Sequence, residues 1–212
     1  MVSQLLRRIS GKASLVFGIC QSLLFCHYVS GQSNHQFLIR QAVVDTMKSL
    51  YHNLERRNNR GFLIDKINKT AGAPKGSAYC SSGIIYIGKC NKLPVTATPR
   101  ALSWLKASAV KRRHGKAITT EPVVKGDIAL FNWKGNQWHV EVVTQWNIAG
   151  DKTRFRTGGF NTGSPYDPKR RKQGIFPHLR RKQDAIILNY QEFWKLNQSQ
   201  IKALNHWLIH RH

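Results

Sequence analysis

Residues 126–146, GDIALFNWKGNQWHVEVVTQW, read as two strands joined by a tight turn. Branched and aromatic side chains dominate both runs, and Lys134, Gly135 and Asn136 supply the turn signal between them. Downstream, KTRFRTGG at 152–159 follows the turn signal NIAGD, and DAIILNYQ at 184–191 reads as a further strand. Upstream the period is helical. In QFLIRQAVVDTMKSLYHN (36–53), Phe37, Ile39, Ala42, Val43, Met47 and Leu50 fall close to a 3.6-residue repeat. FLIDKINKT (62–70) predicts a second short helix ended by Gly72 and Pro74, and CSSGIIYIGK (80–89) has the spacing of a short buried helix. Residues 89–121 are irregular, interrupted by Pro94 and Pro99, with a helix around Trp104 expected over Arg100–Val110. The chain end, 191–212, predicts a terminal helix built on Phe193, Trp194, Leu196, Ile201, Leu204, Trp207 and Leu208. Helices first and strands second define an α+β class, N-terminal helices packed on a C-terminal antiparallel sheet.

The chain has 212 residues, 34 of them Lys or Arg against 10 Asp or Glu, for a net charge of +24. That length suits one domain and excludes a large modular assembly. A 41% hydrophobic content with six Trp, nine Phe and six Tyr excludes a disordered basic tail and requires a packed core. The charge predicts long-range attraction to a polyanion: nucleic acid, anionic lipid or an acidic wall polymer. The runs KRRHGK (111–116), PKRRKQ (168–173) and LRRKQ (179–183) look like nucleic-acid patches, or else are solvated loop charge.

The N-terminus carries Arg7, Arg8 and Lys12, then an apolar stretch from Ala13 to Val29, then Ser30, Gly31 and Gln32. This is the layout of a secretory signal peptide over residues 1–31 with cleavage after Gly31, and it predicts a secreted or periplasmic protein. The alternative is a retained anchor, because the apolar run is barely long enough to span a bilayer core. Cleavage removes three positive charges from +24 and leaves +21 on a single domain, 32–212. It also removes Cys20 and Cys26, leaving Cys80 and Cys90. A disulfide between these two is the ordinary expectation for an exported chain. A helix between them separates them by about 15 Å, whereas a disulfide needs Cα atoms within roughly 7 Å. A free thiol at Cys80 is therefore expected.

Three strings stand together: GAPKGSAYCSSG around Cys80, KGDIALFNWKGNQWHVEVVTQW around His139, and GGFNTG around Asn161. In this order and spacing they resemble the cysteine, histidine-dependent amidohydrolase/peptidase (CHAP) family of cell-wall hydrolases and phage endolysins, part of the papain-like superfamily. The resemblance spans residues 36–190 and extends to Asn58, Asn59 and Gly61, which are similar to a polar loop upstream of the nucleophile in such lysins. It implies a papain-like fold, a turn delivering Cys80 to a helix start, and a Gly-Asn-Thr-like turn at 161. A cysteine there sits among free N–H groups that favour the thiolate, making Cys80 the candidate nucleophile. His139, on a strand, is the candidate proton carrier, and Asn161 the candidate orienter of its ring. Two positions depart from the pattern. Gly159 stands where many relatives have Glu, and Glu141 replaces the small residue after His-Val. Side chains alternate on a strand, so Glu141 shares a face with His139 and either supplies the missing carboxylate or pairs with a Lys or Arg.

A lone cysteine in an apolar helix is ordinarily a core residue, and a strand histidine ordinarily structural. The joint appearance of the three strings in an exported chain points instead to a secreted, monomeric hydrolase that cuts a peptidoglycan amide bond with no metal or organic cofactor. Peptidoglycan or another anionic envelope polymer is then the partner, with nonspecific nucleic-acid binding as a by-product of charge and no membrane insertion after leader removal. The rival is a noncatalytic basic protein that coats an anionic envelope polymer or nucleic acid. His206 and His210 lie one helical turn apart without a third ligand, which reads as a tag-like or solvated tail.

Overall fold

The computed structural model describes residues 36–210 except 134, 168, 170, 171 and 195. The expected leader lies outside the described residues. Helices α1 (36–49), α2 (Phe62–Ala71) and α3 (Cys80–Cys90) come first, and α4 (Gln198–Ile209) comes last. Between them lie β1 (Val110–Arg113), β2 (Lys116–Ala117), β3 (Ile128–Trp133), β4 (Gln137–Gln145), β5 (Arg154–Gly163), β6 (Gln173–Arg181) and β7 (Ala185–Leu188). They form one antiparallel sheet in the order β2-β1-β7-β3-β4-β5-β6. The architecture is α+β, with helices preceding the sheet. From residue 39 on, the described residues form one compact unit.

Alternation along the central strands gives the sheet two buried faces. Ile128, Leu130, Val140 and Val142 pack with Ile84, Ile87 and Met47 in the main core. Ala129, Phe131, Val143, Phe155 and Ile187 form a smaller core on the other face. Helix α3 is buried along nearly its whole length and lies against β4 and β5. Gly83 allows that approach, because a Cβ there would lie 2.1 Å from the Phe160 ring. The two cysteines among the described residues are free, Cys80 buried at one end of α3 and Cys90 exposed at the other.

Several sequence expectations need correction. The 36–53 helix stops at residue 49, and His52 turns left-handed with φ 67°. Arg100–Val110 is two 3-10 turns, Ala101–Trp104 and Ala107–Ala109, because buried Trp104 bends the segment around the start of α3 and donates its indole N–H to Ser81 Oγ at 2.7 Å. GGFNTG is the end of β5 rather than a turn, with a bulge at Asn161, whose φ of 55° is one that asparagine tolerates. QGIFPHLRR (173–181) is a strand despite Pro177, which β6 accommodates as the last strand in the sheet order.

The basic runs are only partly solvated loops. KRRHGK forms the β1–β2 hairpin, turned by His114 and Gly115 at φ 50° and 80°, and its Lys111 is buried against Asp127. Arg180, from LRRKQ, belongs to β6. Pro168, Arg170 and Arg171 of the remaining run lie outside the described residues.

Asp127 ties the first helix to the sheet. Its buried carboxylate accepts from Arg40 Nη1 at 2.7 Å, Lys111 Nζ at 3.1 Å and the Val124 amide at 3.0 Å. Asp127→Ala strands two buried cations and is expected to lower stability by about 3–5 kcal/mol, read from urea unfolding. Among the described residues no helix is long and apolar enough to cross a membrane.

Candidate active site

Cys80 opens α3 directly after the turn that ends at Tyr79. Its neighbour Ser81 is buried and donates to the Thr98 carbonyl at 2.6 Å, which fixes the helix start to the 98–104 loop. On the sheet side, β4 and β5 pair from Gln145/Arg156 as far as Glu141/Gly159, and beyond that point β5 pairs with β6 alone. The gap leaves the Val140 amide without a β5 carbonyl. The Cys80 sulfur takes that amide, together with the Ser81 amide and the His139 ring. The register places His139 and Glu141 on the sheet face opposite the Val140 core. The thiol thus meets the imidazole where the sheet has parted.

His139 Nε2 lies 3.1 Å from Glu141 Oε1, which leaves Nδ1 for the thiol. Glu141 is fully buried and saturated: Arg180 Nε donates to its Oε2 at 2.9 Å, Arg180 Nη2 donates to its Oε1, and Thr157 Oγ1 donates to its Oε2 at 2.5 Å. Trp133 covers the histidine, with ring centroids 4.9 Å apart and planes 16° from parallel, and the Arg180 guanidinium lies 5.2 Å from the same indole. The imidazole is locked by a carboxylate on one edge and an aromatic ring on one face. These contacts form the chain Cys80, His139, Glu141, Arg180.

Gly159 explains how the carboxylate fits. It is the direct partner of Glu141 across β4 and β5, and a Cβ on it would come within 2.7 Å of Glu141 Oε1. The two departures noted in the sequence are therefore one structural fact: the glycine on β5 clears the space that the glutamate from β4 fills. Asn161 does not orient the histidine. It lies beyond the last β4–β5 pair, at a bulge in the β5–β6 pairing, and its backbone amide lies against the Tyr79 hydroxyl, while the His139 ring is held by Glu141 and Cys80. The Asn58–Asn59 segment is a separate turn, closed by the Asn59 amide on Glu55 Oε2 at 2.6 Å.

The electrostatics follow from these contacts. Burial alone pushes the Cys80 thiol up, but the hydrogen bond and charge of His139, with the Val140 and Ser81 amides, bring it below its ordinary value. Burial likewise opposes charge on His139, yet Cys80 and Glu141 on either side raise it to about 9. Glu141 is held well below the usual carboxylate range, since Arg180 and His139 outweigh its burial. The contacts shift the pair from thiol and imidazole toward thiolate and imidazolium.

Cys80 is only 7% exposed, but it opens on a groove of about 840 Å³. The 72–78 loop, the 98–102 loop, Asn136 and Trp138 line it. Arg180, Thr157 and Ser81 are the site residues that the sequence did not single out. The alternation in QGIFPHLRR is the signal that bears on Arg180. Among the described residues no cluster of three or more His, Cys, Asp or Glu side chains has the arrangement of a metal site, and the His206 and His210 rings simply pack together at 4.5 Å.

Compared with known proteins, the chain matches no family model, no curated protein and no solved structure.

Proposed function

We propose that the chain is a cysteine-dependent amidohydrolase or endopeptidase of the CHAP type that cleaves an amide bond in peptidoglycan. The observation that carries this reading is the chain from buried Cys80 through buried His139 and Glu141 to Arg180, with Cys80 opening on the groove. The Cys80 thiolate attacks the amide carbonyl, and its N–H at the helix start meets the developing oxyanion. The His139 imidazolium gives its proton to the leaving amine as the C–N bond breaks. Water, deprotonated by the now neutral His139, then attacks the thioester carbonyl, and the C–S bond breaks to release the acid and restore the Cys80 thiolate beside the His139 imidazolium. Glu141 stabilises the imidazolium and fixes the ring, so it is a positioning residue. No step calls for a metal or organic cofactor.

The substrate class rests on the motif resemblance and on the +24 charge, which favours adsorption to an anionic envelope polymer. The leader pattern of residues 1–31 supports export, with the chain acting as a monomer outside the cytoplasm. Mass spectrometry of fragments released from purified peptidoglycan tests the reading: new amine and carboxyl ends at one amide are expected. Adsorption without fragments would favour the noncatalytic basic binder.

The pH profile follows from the pair. Below the lowered Cys80 value the thiolate is protonated, and above about 9 the His139 imidazolium loses the proton that the leaving amine requires. A bell-shaped profile of kcat/KM is expected, with its alkaline limb near pH 9 and its acid limb below the ordinary thiol range.

A further inference from the structure

Arg100 is the single charged side chain among the described residues that line the groove beside Cys80. The remaining lining is small, apolar or neutral: Ala73, Pro74, Pro99, Leu102, Asn136 and Trp138 are representative. Arg100 is exposed, and no carboxylate among the described residues pairs with its guanidinium. This contrasts with Arg40, Arg60, Arg154 and Arg180, all held by acidic partners.

The loop that presents Arg100 is braced. Ser103 Oγ contacts the Arg100 carbonyl at 2.7 Å and the Thr98 carbonyl at 3.1 Å, and the Thr98 amide donates back to Ser103 Oγ at 3.0 Å. Ser81, the residue after the nucleophile, then bonds the Thr98 carbonyl while accepting the Trp104 indole N–H. One buried hydroxyl thus fixes the cation's loop to the start of the nucleophile's helix. A guanidinium set this way offers a planar fork that suits a carboxylate.

We propose that Arg100 is a specificity-determining residue that pairs with a carboxylate on the substrate, close to the bond cut at Cys80. The inference rests on the Cys80 active-site reading and names the chemistry its groove selects: an amide substrate bearing a free acid group. The charge that serves adsorption is spread over the surface, whereas this one acts inside the groove.

Alkylation of Cys80 in the full chain, followed by mass spectrometry, separates the two. Iodoacetate carries a carboxylate and iodoacetamide of nearly equal size does not, and each loses iodide to the thiolate. In the wild type the anionic reagent should be favoured. Arg100→Ala should lower the iodoacetate-to-iodoacetamide rate ratio by roughly threefold to fivefold, Arg100→Glu should lower it further, and Arg100→Lys should keep part of it. Lys202→Ala, an exposed change on α4 outside the groove lining, should leave the ratio unchanged. An unchanged ratio in Arg100→Ala, or an equal fall in Lys202→Ala, would overturn this inference and leave the active-site reading intact. A wild-type Cys80 that reacts with neither reagent would overturn both.

Discussion

Replacing Cys80 with serine lowers amide hydrolysis by roughly 10⁴-fold or more while the fold and adsorption to cell walls persist. The substitution is nearly isosteric, and a serine Oγ can accept the same Val140 and Ser81 amides that the sulfur accepts. What disappears is ionisation: a hydroxyl beside His139 stays protonated near neutral pH, so no anionic nucleophile is present to attack. His139→Ala should cost as much as Cys80→Ser, and the double variant little more, because the two groups act as one unit. Cys90→Ser, at the exposed far end of α3, should be nearly silent. The measurement is release of soluble amine from purified peptidoglycan, with circular dichroism as the folding control. Full activity in Cys80→Ser would leave the noncatalytic binder as the better account.

The second large effect belongs to Glu141. Glu141→Leu leaves the half-buried Arg180 without its partner and should lower stability by about 3 kcal/mol; adding Arg180→Met should restore most of that, since an ion pair in the interior replaced whole by apolar groups is often neutral. Activity should behave differently. Both variants leave the imidazolium without its carboxylate and should fall by about 10³-fold or more, and the stabilised double variant should stay inactive. A purely structural Glu141 would instead recover activity together with stability.

The acid limb of stability carries the same signature. Glu141 has a folded pKa below its unfolded value near 4.5, so its contribution is complete above pH 4.5 and is lost as pH falls. His139 has the opposite sign: its share is complete below about 6.5 and is lost as pH climbs through about 9. Cys80, lowered from 9.0, contributes most above that value and less as pH falls. The histidine and cysteine slopes oppose each other on the alkaline side, so the acid side is the one to read. Urea midpoints should drop more steeply below pH 4.5 in the wild type than in Glu141→Leu/Arg180→Met.

The sequence disclosed elements whose pattern is local. Apolar spacing in CSSGIIYIGK and the paired runs at 126–133 and 137–146 placed Cys80 at a helix start and His139 on a strand, and both stand there. What depended on pairing across the sheet was hidden. The motif resemblance makes Asn161 the orienter of the ring, but β5 has stopped pairing with β4 at Gly159, and Asn161 lies past that point in the β5–β6 pairing. Glu141 met its counterpart only once Gly159 lay opposite it, a relation between residues eighteen apart that no periodicity reveals. Arg180 was masked by its basic run, LRRKQ, which reads as a nucleic-acid patch or as solvated loop charge. Composition likewise could not distinguish the buried Lys111 from its exposed neighbours, since burial depends on Asp127 standing opposite.

The central claim is that Cys80 is an activated thiolate held by His139 and Glu141, and the rate of Cys80 alkylation as a function of pH tests it most directly. Iodoacetamide labelling, quantified by peptide mass spectrometry, should rise in the wild type through a midpoint below the free-cysteine value of about 8.5, and in Glu141→Leu/Arg180→Met that midpoint should move up toward it. A wild-type Cys80 whose labelling rises only through about pH 8.5 or above, unaffected by the loss of Glu141, would contradict the account.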